Sequence, residues 1–175
     1  FPRIACAGGT RFRFPRYAFD RNAREVRHYM LFGKRERLIR RILIVEDEPL
    51  VAFDNEYLLQ DAGYEVDTAA DGAAALTAIQ ASRPALVLTD LKMPGMSGLE
   101  LLEKIRADEP DLPVIMITAF GTIQNAVEAV KSGAYDYLTK PIDHDDLILA
   151  IRRALDHTHL LQEVRIAFAR LLYRK

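Results

Sequence analysis

The sequence predicts an α/β fold: a doubly wound, five-stranded parallel sheet with an extended C-terminal helix. Two observations predict it. Short apolar runs recur as ILIVED (42–47), ALVLTD (85–90), VIMITA (114–119) and YLTK (137–140), and stretches of helical length separate them. Each run ends on a reactive or polar group: Glu46/Asp47, Asp90, Thr118 and Lys140. Parallel strands joined by helical crossovers bring their C-terminal ends to one edge of the sheet. Three acids, a hydroxyl and an ammonium would therefore meet in one place.

The elements follow in order. After the first strand, Pro49 suits the opening turn of a helix, where its missing N–H costs nothing. Val51, Phe53, Tyr57 and Leu58 give roughly helical spacing, and Gly63 stops it. Val66 to Ala69 is a second, weaker strand. Asp71 is the N-cap of a helix over 72–82, with Ala74, Leu76 and Ile79 facing inward and Pro84 ending the element. The third strand, 85–90, leads through a Pro/Gly-rich loop to a helix from about Gly98 to Asp108. The fourth strand passes through Gly121 into a helix ending near Gly133. The fifth, 136–140, runs into Pro141 and a long helix starting near Asp143. Five such units, connected with right-handed crossovers, leave few arrangements.

The last helix continues past the point where the domain should end. Leu160, Leu161, Val164, Ala167, Phe168, Leu171 and Leu172 recur at steps of three and four, with Gln162, Glu163, Arg165 and Arg170 mostly between them. Such a stripe needs a partner, which the same chain, a second copy or a further domain could supply. We expect an interface there and a homodimer through it.

The charge is distributed unevenly. Residues 1–41 carry 12 Lys/Arg against 3 Asp/Glu, residues 42–157 carry 8 against 21, and residues 158–175 carry 4 against 1. This suggests three parts: a basic N-terminal arm (1–41, irregular or partly helical), an acidic globular domain (42–157) and an amphipathic helical extension (158–175). The arm holds clustered Arg but no recognisable nucleic-acid motif, so no nucleic-acid binding is expected of this chain by itself. The single cysteine, Cys6, forms no intramolecular disulfide, and no Cys/His cluster has zinc spacing. A reducing cytoplasm is the simplest setting. No apolar run approaches the roughly 18 residues that span a bilayer, so no membrane partner is expected.

The strand-end groups suit one reaction. Aspartate attacks phosphorus poorly unless the repulsion between two anions is offset, and Mg²⁺ with hard oxygen ligands offsets it. Asp47 and Asp90 would supply two carboxylates, and Glu46 would hold a metal-bound water. Lys140 would pair with phosphoryl oxygens, and the Thr118 hydroxyl would donate to one of them. Without a metal, crowded carboxylates raise one another's pKa. Each component alone has an ordinary explanation as a turn, cap or strand-end residue. Four strand ends carrying the types that one reaction requires do not.

The strings ILIVEDEP (42–49), DLKMPGMSG (90–98), VIMITAFG (114–121) and YDYLTKP (135–141) resemble the receiver domain of two-component response regulators, a flavodoxin-like fold, over about residues 42–157. The resemblance implies that Asp90 is the phosphorylation site. It also implies that Asp47 is a direct Mg²⁺ ligand, that Lys92 offers its backbone carbonyl, and that Glu46 takes the first acidic position. Thr118 and Tyr137 match a switch pair, the hydroxyl moving toward the phosphoryl group as the ring turns inward. Lys140-Pro141 matches a peptide bond that is usually cis. Lys92 and Phe120 would flank the path of attacking water, where they either hinder hydrolysis or only decorate the rim. The implied partner is a histidine kinase or histidine phosphotransfer protein. Residues 118–143 look most like receivers of ATPase-type transcription activators, and the chain reads either as a stand-alone receiver or as a piece of such a regulator. The alternative is a haloacid-dehalogenase-like, Mg-dependent phosphatase. That family's nucleophile follows the first strand and has a second Asp two residues later, whereas Asp90 follows the third and has Lys92 there.

Overall fold

A computed structural model describes residues 40–119 and 121–172. The expected basic arm therefore falls almost wholly outside the described residues, as does Phe120. Five parallel strands form one sheet in the order β2-β1-β3-β4-β5. They are β1 (Arg41–Val45), β2 (Glu65–Ala69), β3 (Leu86–Asp90), β4 (Val114–Thr118) and β5 (Asp136–Thr139). The helices are α1 (Pro49–Asp61), α2 (Gly72–Ser82), α3 (Gly98–Asp108), α4 (Ile123–Lys131) and α5 (His144–Leu172).

Alternation along the strands divides the core into two layers. Leu43, Val45, Val87, Val114 and Met116 pack on one face with Ala75 and Ile79 of α2, Leu101, Leu102 and Ile105 of α3, and Ala129 of α4. Ile42, Ile44, Leu86, Leu88, Ile115 and Ile117 pack on the other with Leu59 of α1 and Leu147, Ala150, Ile151, Ala154 and Leu155 of α5. Burial of side chains such as Leu101, Leu102 and Ile105 contributes roughly 1.5–3 kcal/mol each. The apolar runs thus lack polar alternation because both faces of the sheet are covered.

Local signals fix the helix ends. Asp71 accepts from the Ala74 N–H at 2.8 Å, as an N-cap should. Ser97 and Glu100 form a reciprocal capping box at the start of α3, so the loop after Asp90 ends on a firm helix N-terminus. Gly63, at φ +87°, follows α1.

One inward face differs from expectation. In α2, Ala74 is exposed and Gly72, Ala75 and Ile79 are buried. The helix is so rich in alanine that its periodicity allowed a one-residue rotation. In α1 the buried residue is Leu59, while Phe53 and Tyr57 are 63% and 68% exposed. Tertiary contact, not the size of the apolar side chain, decides which stripe is covered.

The extension of α5 is helical as expected, and its apolar residues are exposed. Leu160, Leu161, Val164, Phe168 and Leu171 stand 46–69% exposed; the side chain of Leu172 is outside the described set. Before it leaves the sheet, α5 is tied by Arg40 to Asp156 at 3.3 Å and by a tilted ring contact between Tyr135 and His157. Farther along, Arg165 pairs with Asp111 in the loop between α3 and β4. Among the described residues, no helix is long and apolar enough to cross a membrane.

Candidate functional site

Strand order alone gathers the site. β1 lies between β2 and β3, and β4 joins β3 to β5. The ends of β1, β3, β4 and β5 therefore stand side by side and carry Glu46/Asp47, Asp90, Thr118 and Lys140. The Lys140 ammonium sits between two carboxylates, 2.8 Å from Glu46 Oε2 and 2.7 Å from Asp90 Oδ2. Those side chains are 4% and 11% exposed, so the pairs lie in a poorly solvated place where charge–charge attraction is strong. The peptide bond between Lys140 and Pro141 is cis. The Lys140 N–H donates to the Thr118 carbonyl at 2.8 Å, linking the last two strand ends through the backbone as well.

Electrostatics follow from this geometry. Burial pushes the Glu46 carboxyl above its ordinary value; the Lys140 hydrogen bond and charge pull it back, and the Asp90 charge adds to the rise. The Glu48 N–H also favours the ionised form. For Lys140, burial works toward a lower value, but the hydrogen bonds and charges of Asp90 and Glu46 outweigh it and the net shift is upward. At Glu46, then, burial raises the carboxyl more than the neighbouring Asp90 charge does, and the internal cation opposes both.

Asp90 is further held by the Lys92 N–H, which donates to Oδ1 at 3.1 Å. Gly98 lies so close beneath it that a Cβ there would stand 2.2 Å from the Asp90 carbonyl oxygen. The first residue of α3 therefore has to be glycine for the loop after Asp90 to close as it does. Sequence reasoning missed this contact, although the Gly at the close of DLKMPGMSG was its available signal.

Thr118 is fully buried, and strand alternation puts it on the same sheet face as Met116. Tyr137 pairs in register with Met116 and packs against that same layer. The two members of the expected switch pair thus share a face, as an exchange of volume between them requires. The Tyr137 ring is turned inward. Its hydroxyl is buried with no partner in hydrogen-bonding geometry among the described residues. Burial raises its pKa and the Asp90 charge adds to this, while Asn125 lies near enough to oppose them. Asn125, on α4, was not foreseen.

The hard oxygens of Glu46 and Asp90 converge on one cation, the Lys140 ammonium, which is the donor chemistry that suits Mg²⁺. Asp47 follows Glu46 at the same strand end and is half-buried. Among the described residues, no three His, Cys, Asp or Glu side chains are grouped closely enough to hold a metal ion. Glu46, Asp47 and Asp90 therefore share an edge without forming a closed ligand set. Lys92 is exposed at the rim, and Phe120 lies outside the described residues.

Known proteins resemble this chain in sequence and fold. The family model for the response regulator receiver domain matches residues 42–152. The nitrogen assimilation regulatory protein NtrX of Azorhizobium caulinodans is 44% identical over 126 residues, covering 71% of this chain and 28% of that protein. The probable transcriptional regulatory protein TcrX of Mycobacterium tuberculosis is 36% identical over 117 residues, 67% of this chain and 50% of that one. Among solved structures, a receiver domain protein from Clostridium thermocellum superposes with a TM-score of 0.67 at 35% identity, covering 70% of this chain and 98% of that one. NtrX from Brucella abortus in complex with ATP gives 0.70 at 41% identity over 73% of this chain and 29% of that one. The chain thus spans half or less of the length of these curated relatives. The phosphatase alternative gains no support from site or match. With the sheet order, the strand-end acids, the lysine and this match in agreement, the chain belongs to the response regulator receiver domain family.

Proposed function

We propose that Asp90 accepts a phosphoryl group from a phosphohistidine on a partner histidine kinase or histidine phosphotransfer protein. The observation that carries this reading is the Lys140 ammonium seated between Glu46 and Asp90. In the transfer, an Asp90 carboxylate oxygen forms the new P–O bond as the P–N bond of the phosphohistidine breaks. The imidazole leaves with that electron pair and takes up a proton. Hydrolysis of the acyl phosphate later returns the carboxylate and inorganic phosphate. Lys140 neutralises charge on the phosphoryl oxygens, and the Thr118 hydroxyl donates to one of them. Glu46, Asp47, Asp90 and the Lys92 carbonyl are the groups that would hold Mg²⁺, which when bound offsets the repulsion between carboxylate and phosphoryl group. Lys92 at the rim would slow the approach of water, with Phe120 in the same role.

Two surfaces suit the remaining steps. Leu50, Phe53 and Tyr57 stand 63–80% exposed along α1, directly after the acidic pair, and suit a docking partner that presents phosphohistidine. A shallow groove of about 590 Å³ beside them is lined by Phe53, Asp54, Tyr57, Leu58, Asp61 and His144. On the other side, Ile123, Val127 and Val130 form an exposed stripe on α4. Movement of Thr118 and Tyr137 would bias this face and α5, whose apolar extension suits a homodimer. The likeness to TcrX, named as a probable transcriptional regulatory protein, supports an output in transcriptional control. We place that output in the cytoplasm, with the receiver at 42–157 and the extension at 158–175 as separate parts.

Asp90→Asn tests the assignment. It should abolish Mg²⁺-dependent labelling by acetyl phosphate, read by intact mass. Full-stoichiometry labelling of the variant would put the acceptor elsewhere.

A further inference from the structure

Gly121, in the segment between β4 and α4, lies against Thr139 at the end of β5. A Cβ at position 121 would stand 2.2 Å from the Thr139 Cγ2 and 3.3 Å from its Cβ. Neither residue belongs to the core, since both are exposed. Gly121 also has no left-handed φ that would require glycine for the backbone's sake. The close approach is therefore what glycine provides here.

The contact joins the two chain segments that carry the phosphoryl-binding groups. Gly121 follows Thr118 by three residues, and Thr139 immediately precedes Lys140. Thr139 is the register partner of Thr118, and the Lys140 N–H donates to the Thr118 carbonyl at 2.8 Å. Lys140 reaches Asp90 at 2.7 Å and Glu46 at 2.8 Å, so a small displacement of its backbone moves an ammonium that two carboxylates share.

We propose that Gly121 and Thr139 are a positioning pair for the acceptor site: the missing side chain at 121 sets how closely the segment leaving Thr118 approaches the strand end that aims Lys140. Neither residue touches the phosphoryl group. A methyl at 121 pushes Thr139 aside and takes Lys140 with it, and misplacement by a fraction of an ångström lowers rates without unfolding the domain. The methyl that Thr139 contributes is the obstacle, so removing it relieves the substitution. This inference rests on the reading of Asp90 as acceptor.

The test is a double-mutant cycle on the full chain, with acetyl phosphate and Mg²⁺ as probe and the rate of Asp90 labelling as readout. Asp90→Asn is carried alongside. Gly121→Ala should slow labelling about tenfold with a thermal midpoint close to that of the parent. Thr139→Ser and Thr139→Val should label at the parental rate. Gly121→Ala combined with Thr139→Ser should recover to within about threefold of Thr139→Ser, because the serine lacks the obstructing methyl while the double with valine keeps it and stays slow. Parental labelling by Gly121→Ala, or a Gly121→Ala/Thr139→Ser double as slow as the single, overturns the pair. If Gly121→Ala does not fold, the doubles decide: a folded, fast serine double supports the pair, and a serine double that fails like the single overturns it. A parent that does not label, or an Asp90→Asn that does, overturns the acceptor reading instead.

Discussion

The strand-end site and the far half of α5 break the same rule in opposite directions. At the site, charged and polar groups are buried: Glu46 is 5% exposed and Thr118 fully enclosed. Along α5 beyond the sheet, apolar groups are exposed, Val164 at 62% and Phe168 at 64%. A buried carboxylate costs several kcal/mol unless it is paired. An apolar side chain left in water forgoes roughly 1.5–3 kcal/mol of burial. The first mismatch is compensated inside the domain, by Lys140. The second has no charge to offset it, although the polar Arg165–Asp111 pair ties the extension back to the domain. On the function proposed above, internal compensation suits a site for phosphoryl chemistry, and external mismatch suits a surface for a partner.

The largest effect should come from removing the internal cation. Lys140→Met leaves Glu46 and Asp90 facing each other in a poorly solvated place. Breaking such a pair costs about 3 kcal/mol, and loss of one electrostatic partner of the phosphoryl group slows labelling about a hundredfold. Urea denaturation and intact-mass labelling read the two effects. The sign with pH is fixed: the folded Lys140 pKa lies above the ordinary 10.5, so its contribution is present below that value. It is lost as pH rises through the folded pKa. An alkaline decline in stability should therefore be shallower in Lys140→Met than in the parent. Equal stability of the two at neutral pH would break the comparison, since the site would then need no compensation.

Glu46→Gln should act the other way and more weakly. The folded Glu46 pKa is raised, chiefly by burial, so the ionised carboxylate costs stability at pH above that pKa. A neutral amide removes this cost while Lys140 keeps Asp90, giving a small gain in stability at neutral pH. The gain should fade as pH falls through the folded pKa and vanish below the ordinary 4.5. Adding Mg²⁺ should stabilise the parent more than the variant. A variant less stable than the parent at pH 7 would mean that the hydrogen bond from Lys140 outweighs the cost of burying the charge.

The two regions were unequally legible in the sequence. Asp90, Thr118 and Lys140 could be assigned to neighbouring strand ends because parallel topology converts order along the chain into position on an edge. The start of α3 at Gly98 and the Asp71 cap were readable from local chemistry. What sequence could not supply was contact at the scale of a single methyl group. The burial of Ala75 rather than Ala74 and the Gly121 approach to Thr139 depend on how finished elements meet. The distribution of Lys140 between two acids is likewise a product of packing, since strand ends fix neighbours but not which carboxylate takes the ammonium.

The smallest effect on folding, and the sharpest on assembly, should come from the exposed stripe. Leu161, Val164, Phe168 and Leu171 repeat at alternating steps of three and four, the spacing that lets two helices interdigitate. Phe168 is 64% exposed, so Phe168→Asp removes little burial from the single chain. Receiver stability should change by no more than about 0.5 kcal/mol, and the acetyl phosphate labelling rate should be that of the parent. If a second copy covers the stripe, the same substitution places two carboxylates in a shared apolar seam, and light scattering should show the mass of the assembled parent falling by half. Beryllofluoride with Mg²⁺ adds the remaining arm. A parent that doubles its mass only with the phosphoryl mimic would tie the external mismatch to the internal one, because the same α5 packs on the sheet through Leu147 and Ile151 before it presents Phe168. A parent of unchanged single-chain mass under both conditions would show that a second copy does not cover the stripe.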